Sequence, residues 1–168
     1  MARLALVVLV VLLAGLHAEP AGEQPETKQK SSLIRSSAVI GKLLCGSQPV
    51  ADAVIRLYRN ESEVIENLLG VAKSEASGGF RVEGNTLGRT NEESSITPRV
   101  RIFHKCDDQD AKAYRTFAFT VEDQKHVSFG KTPHFTFDIG TLNVEIVYPG
   151  EKKEKNFKDE APLGSGVM

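Results

Sequence analysis

Between Ala38 and Tyr148 lie several runs in which apolar residues recur at every second position, and that spacing marks β-strands. Ala53, Ile55 and Leu57 fall on one face of a strand, with Val54, Arg56 and Tyr58 on the other. Val100, Ile102, His104 and Cys106 share a face, while Arg99, Arg101 and Lys105 take the opposite one. Further runs are Ala38 to Cys45, Leu68 to Ser74, Phe80 to Gly84, Phe117 to Val121 and Phe135 to Ile139. In a last run Leu142, Val144, Ile146 and Tyr148 align. Turn formers separate them: Gly46, Ser47 and Pro49, then Ser77-Gly78-Gly79. No segment carries a long amphipathic helix; Glu63 to Glu66 offers at most one turn. The chain therefore predicts an all-β fold, an antiparallel two-sheet sandwich of seven or eight strands over residues 36–150.

The flanks read differently. Arg3 precedes an apolar run from Leu4 to Leu16, short for a membrane span and suited to a signal-peptide core. Residues 1–18 are read as an export signal cut after Ala18, and 19–35 as a flexible linker without apolar periodicity. Residues 151–168 read as a flexible charged tail. Losing Arg3 takes the formal net charge from −1 to −2, a balance that offers neither a nucleic-acid surface nor a polybasic membrane anchor. The expected product is secreted, extracellular and not membrane-spanning.

Cys45 and Cys106 are the two cysteines. An even count in an oxidising compartment favours one disulfide, and both positions share the parity of inward residues. Buried free thiols and a bridge to a partner are the alternatives. The loop-entropy model gives such a bridge about 4 kcal/mol. Asn60-Glu61-Ser62 is an N-glycosylation sequon in an expected loop, which makes Asn60 a candidate acceptor.

These features together resemble the nematode transthyretin-like family. The residues that carry the resemblance are Gly41-Lys42-Leu43-Leu44-Cys45, Gly46 and Pro49, Ser77-Gly78-Gly79-Phe80, and Pro98 through Ile102-Phe103-His104-Lys105-Cys106-Asp107-Asp108. Gly130-Lys131-Thr132-Pro133, Phe137-Asp138-Ile139-Gly140 and Tyr148-Pro149-Gly150 complete the set. The resemblance covers about Ala38 to Gly150 and implies a small secreted protein with a transthyretin-like β-sandwich. More distantly it reaches the hydroxyisourate hydrolases, which end in a Tyr-Arg-Gly-Ser motif. This chain lacks that ending, and Tyr114-Arg115-Thr116 is a different sequence elsewhere.

Candidate chemistry is sparse, and no catalytic residue is assigned. There is no Gly-x-Ser-x-Gly elbow, Walker loop or Gly-x-Gly-x-x-Gly. His104 sits on an inward face, where a core histidine is the ordinary reading. His126 and His134 lack further ligands, and Ser128 beside His126 lacks an orienting acid. Asp107, Asp108 and Asp110 form an acidic turn, a weak calcium candidate without the EF-hand pattern. Arg99, Arg101 and Lys105 are a candidate anionic-ligand patch on an exposed strand face. No cofactor is expected. The reading is a non-enzymatic binding or carrier protein for an apolar small molecule, a lipid or a cell-surface protein, with the loops Asn85 to Thr97 and Asp123 to Thr132 as sites of specificity. Its rivals are a hydroxyisourate-hydrolase-like enzyme and a structural matrix protein. A homo-oligomer through an edge strand is compatible with the pattern.

Overall fold

The computed structural model describes residues 33–88, 95–107 and 112–158. The export segment 1–18, most of the linker, and Asp108 and Asp110 lie outside the described residues. Among the described residues ten strands form: β1 (Arg35–Cys45), β2 (Gln48–Pro49), β3 (Val54–Tyr58), β4 (Leu68–Lys73), β5 (Gly79–Asn85), β6 (Arg99–His104), β7 (Tyr114–Thr120), β8 (Val127–Phe129), β9 (Thr136–Asn143) and β10 (Lys152–Glu154). They make two five-stranded sheets. In one, β1 is the centre, with β5 antiparallel on one side and β9 parallel on the other; β2 and β8 are short additions at its two ends. The other runs β10-β7-β6-β3-β4, antiparallel throughout.

Alternation became burial as the spacing requires. Val39 and Leu43 of β1 face Ile55, Leu57, Val100, Ile102 and Phe117 of the second sheet, and Val82, Val121 and Val144 complete the core. All of these are at most 2% exposed. Cys45 and Cys106 form the disulfide, with Cα atoms 5.6 Å apart, and it ties the end of β1 to the turn after β6 across the two sheets.

The two flanks of the sandwich are unlike. At the β4/β5 flank the backbones touch: a Cβ on Gly70 would lie 2.1 Å from the Glu83 carbonyl oxygen, and one on Gly84 2.1 Å from that of Leu69. Only glycine permits that approach. The flank is pinched shut, and the Ser77-Gly78-Gly79 turn carries the chain across it from one sheet to the other, with Gly78 at φ 81°. At the opposite flank β9 faces β7. Among the described residues no further strand pairs with the outer edge of β9, and β10 covers only Tyr114–Thr116 of β7.

Three features differ from the sequence reading. The expected seventh strand and the start of the last one are a single strand, β9, and its pairing with β1 is parallel rather than antiparallel. The expected strand over Val144 to Tyr148 does not form. The Asn143 side chain accepts the N–H groups of Gly46 and Glu145, which turns the chain, and β1 has ended at Cys45. Val144 still reaches the core, while Ile146 and Val147 are exposed. In the segment read as a flexible tail, Lys152–Glu154 pairs with β7 and Phe157 stacks on Phe103, ring centroids 4.0 Å apart.

Candidate functional site

The open β7/β9 flank holds a groove of ≈510 Å³. Inward parity on β7 brings Phe117 and Phe119 to it, and the same parity on β9 brings Phe137 and Ile139. Leu142, Tyr148 and Pro149 close one end. Tyr148 stacks on Phe117 with centroids 4.3 Å apart, and His104 meets the other side of that cluster edge-on, 6.1 Å from Phe117. The volume falls in the range of small-molecule sites, and the lining is mostly aromatic and aliphatic, with Asp138 as its one charged side chain.

Arg115 holds the turn that brings Tyr148 to this groove. Its Nε donates to Glu151 Oε1 at 2.6 Å, its Nη1 to Asp107 Oδ2 at 3.1 Å and its Nη2 to the Ile146 carbonyl at 3.1 Å. Glu151 also accepts the Tyr148 N–H at 3.2 Å, so the 145–151 turn, and Tyr148 with it, is tied to β7 through one guanidinium. Burial opposes the charge on Glu151, but the bonds from Arg115 and Tyr148 outweigh it and hold the carboxyl below its ordinary range. Nothing in the sequence spacing of Arg115 and Glu151 announces this pair.

His104 is 1% exposed. Its Nδ1 accepts the Cys106 N–H at 3.3 Å, which makes it the core histidine of the ordinary reading. Burial, with the Arg115 charge adding to it, lowers its pKa to about 4, so the ring is neutral at pH 7.

Arg99 and Arg101 converge on one carboxylate. Arg99 Nε donates to Glu63 Oε1 at 2.6 Å, and Arg101 binds both Glu63 oxygens. Burial resists the Glu63 charge, yet the two arginines lower its pKa. The expected cationic patch is therefore largely engaged with Glu63, and Lys105 is further along, its Nζ 4.9 Å from the Tyr114 ring. Cys45, Cys106 and Asp107 bring potential ligand atoms within 4.8 Å of one another, but both sulfurs belong to the disulfide, leaving one carboxylate. His126 packs edge-on to Phe137, and the Ser128 hydroxyl accepts the His134 N–H, so these residues brace the 126–134 segment. Asn60 lies in the β3–β4 connection, its Oδ1 accepting from Ser62 N–H and Asn67 Nδ2. The Asn85 and Lys131 loops meet through a 3.1 Å hydrogen bond beside the start of β1.

The sequence matches the profile of the Transthyretin-like family over residues 40–122. Among curated proteins it is similar to Transthyretin-like protein 46 of Caenorhabditis elegans, 33% identical across 71% of this chain and 65% of that protein. Transthyretin-like protein 33 of the same organism is 31% identical across 71% of this chain and 81% of its own length. Transthyretin-like protein 1, also from Caenorhabditis elegans, is 30% identical across 68% and 75%. A chain of a 9R-lipoxygenase from Cyanothece aligns with a TM-score of 0.38 at 16% identity, over 66% of this chain and 16% of its own, a likeness too low to carry an argument.

Proposed function

Because the chain belongs to the transthyretin-like family, we propose that it is a secreted, non-enzymatic binding protein whose ligand is an apolar small molecule or lipid held in the β7/β9 groove. The observation that carries this reading is the groove itself: four aromatic rings, Ile139 and Leu142 line ≈510 Å³ at the unsealed flank of the sandwich. Burying apolar ligand surface there stabilises the complex by about 25 cal/mol per Å² before association costs. The disulfide fits an oxidising compartment, and residues 1–18 have the pattern of an export signal. Non-enzymatic action fits the chemistry of the groove, whose lining is mainly rings and methyl groups, with Asp138 as its one charged side chain. Asn60 is the proposed glycan acceptor.

Native mass spectrometry of the protein secreted from eukaryotic cells tests this. The expected result is a stoichiometric apolar adduct that is absent from a Phe119→Lys variant of the same fold. A species that carries no ligand and takes up none from a lipid extract would overturn the carrier reading.

A further inference from the structure

We propose that the β7 edge and the adjoining outer face of β6 form a strand-addition site for an extended acidic segment bearing an aromatic residue, occupied in cis by residues 152–158 as a displaceable strap. This surface shares β7 with the apolar groove but none of the groove's lining residues, and it takes a protein partner rather than a small molecule.

The strap shows what fits. Its backbone pairs antiparallel with β7 through Lys152↔Thr116, Lys153↔Arg115 and Glu154↔Tyr114. Three residues on, Phe157 lies on Phe103, 4.0 Å between centroids and 17° from parallel, and meets Tyr114 edge-on at 4.8 Å. The Arg56 guanidinium sits 4.8 Å above the Phe157 ring and donates to the Lys158 carbonyl at 2.8 Å. Phe103 has the outward parity of β6 but is only 5% exposed beneath this cover. Backbone pairing plus one side-chain slot is the general form of strand-addition recognition.

The strap is poorly matched in charge to what it covers. It carries Lys152, Lys153, Lys155 and Lys158 against one carboxylate, Glu154, and lies beside Arg56 and Lys105, on a sheet where Arg99 and Arg101 share the Glu63 carboxylate. All three residues of β10 are exposed. Few buried contacts and like charges place this segment at the low-stability end of the fold. A segment with carboxylates in place of the lysines keeps the pairing and the ring and gains attraction.

The test uses the full chain and two fluorescein-labelled peptides copying residues 151–158, one of them with Lys152→Glu, Lys153→Glu and Lys155→Glu. A Phe157→Ala chain, whose strap has lost its ring, should bind the acidic peptide about tenfold more tightly than the unsubstituted chain, measured by anisotropy. The acidic peptide should outbind the lysine peptide, and Phe157→Ala within the peptide should abolish binding. Equal binding by both chains, or retention of the peptide that lacks its ring, would overturn the proposal. So would concentration-dependent dimers of the Phe157→Ala chain without peptide, which assign the edge to a second copy. Independently of any variant, excess acidic peptide should accelerate amide exchange at Lys152–Glu154 in the unsubstituted chain. Unchanged exchange at saturating peptide overturns displacement.

Discussion

His104 couples the fold to pH. Its folded pKa of about 4 lies below the ordinary 6.5, because burial and the Arg115 charge oppose the imidazolium, with Glu151 and Asp107 giving partial relief. As pH falls, the unfolded chain takes up the proton first, so the stability linked to this group is present above 6.5 and is lost between 6.5 and 4. The full loss is about 3 kcal/mol. Glu63 and Glu151 act in a lower window. Their folded pKa values are depressed, so their contribution holds above 4.5 and declines below it. Urea unfolding at pH 7 and pH 4.5 should show a clear loss in the unsubstituted chain and a flatter response in His104→Gln. An equal loss in both would show that another group carries the effect. His104 was readable as a core residue from strand parity alone. The Arg115–Glu151 tie was not, because it joins a strand to a turn 36 residues later through side chains, and spacing carries no record of such a contact.

Among the elements, the strands with one buried face were the legible ones. β3, β6 and β7 follow their alternation, and a one-residue slip would turn every core residue outward. The stretch after Asn143 alternates equally well yet is not a strand, since a strand also needs a neighbour, and β1 has none left to offer there. The parallel β1–β9 pairing was hidden for a related reason: it is set by how the chain returns past β1, which periodicity does not encode. The β4/β5 flank makes the sharpest prediction at this scale. Gly84→Ala puts a methyl group against the Leu69 carbonyl and should lower stability by about 1–3 kcal/mol with secondary structure retained, as followed by thermal melting and circular dichroism. A melting temperature equal to that of the unsubstituted chain would mean that the two backbones are not held together as described.

At the scale of the whole molecule, a sandwich pinched at one flank by Gly70 and Gly84 and stapled across its sheets by the disulfide is left open where β7 faces β9. Reducing Cys45–Cys106 frees a loop with a sequence separation of 61 and should lower unfolding free energy by about 2–4 kcal/mol, read from urea midpoints with and without dithiothreitol. The two-sheet architecture and the paired cysteines were legible in the sequence, whereas loop length pointed to the long connections as sites of specificity. The groove residues were visible as core-facing aromatics; that they line an opening depends on which strand is missing beside them, a property of topology and not of any one segment. The most direct measurement of the central claim is titration of the uncharged fluorescent probe N-phenyl-1-naphthylamine into the unsubstituted chain and into Phe119→Lys. Saturable, one-to-one binding that weakens at least about tenfold in the variant, with melting behaviour retained, is the result predicted for an apolar ligand site in the groove. Equal binding by the two folded proteins, or none by either, would contradict it.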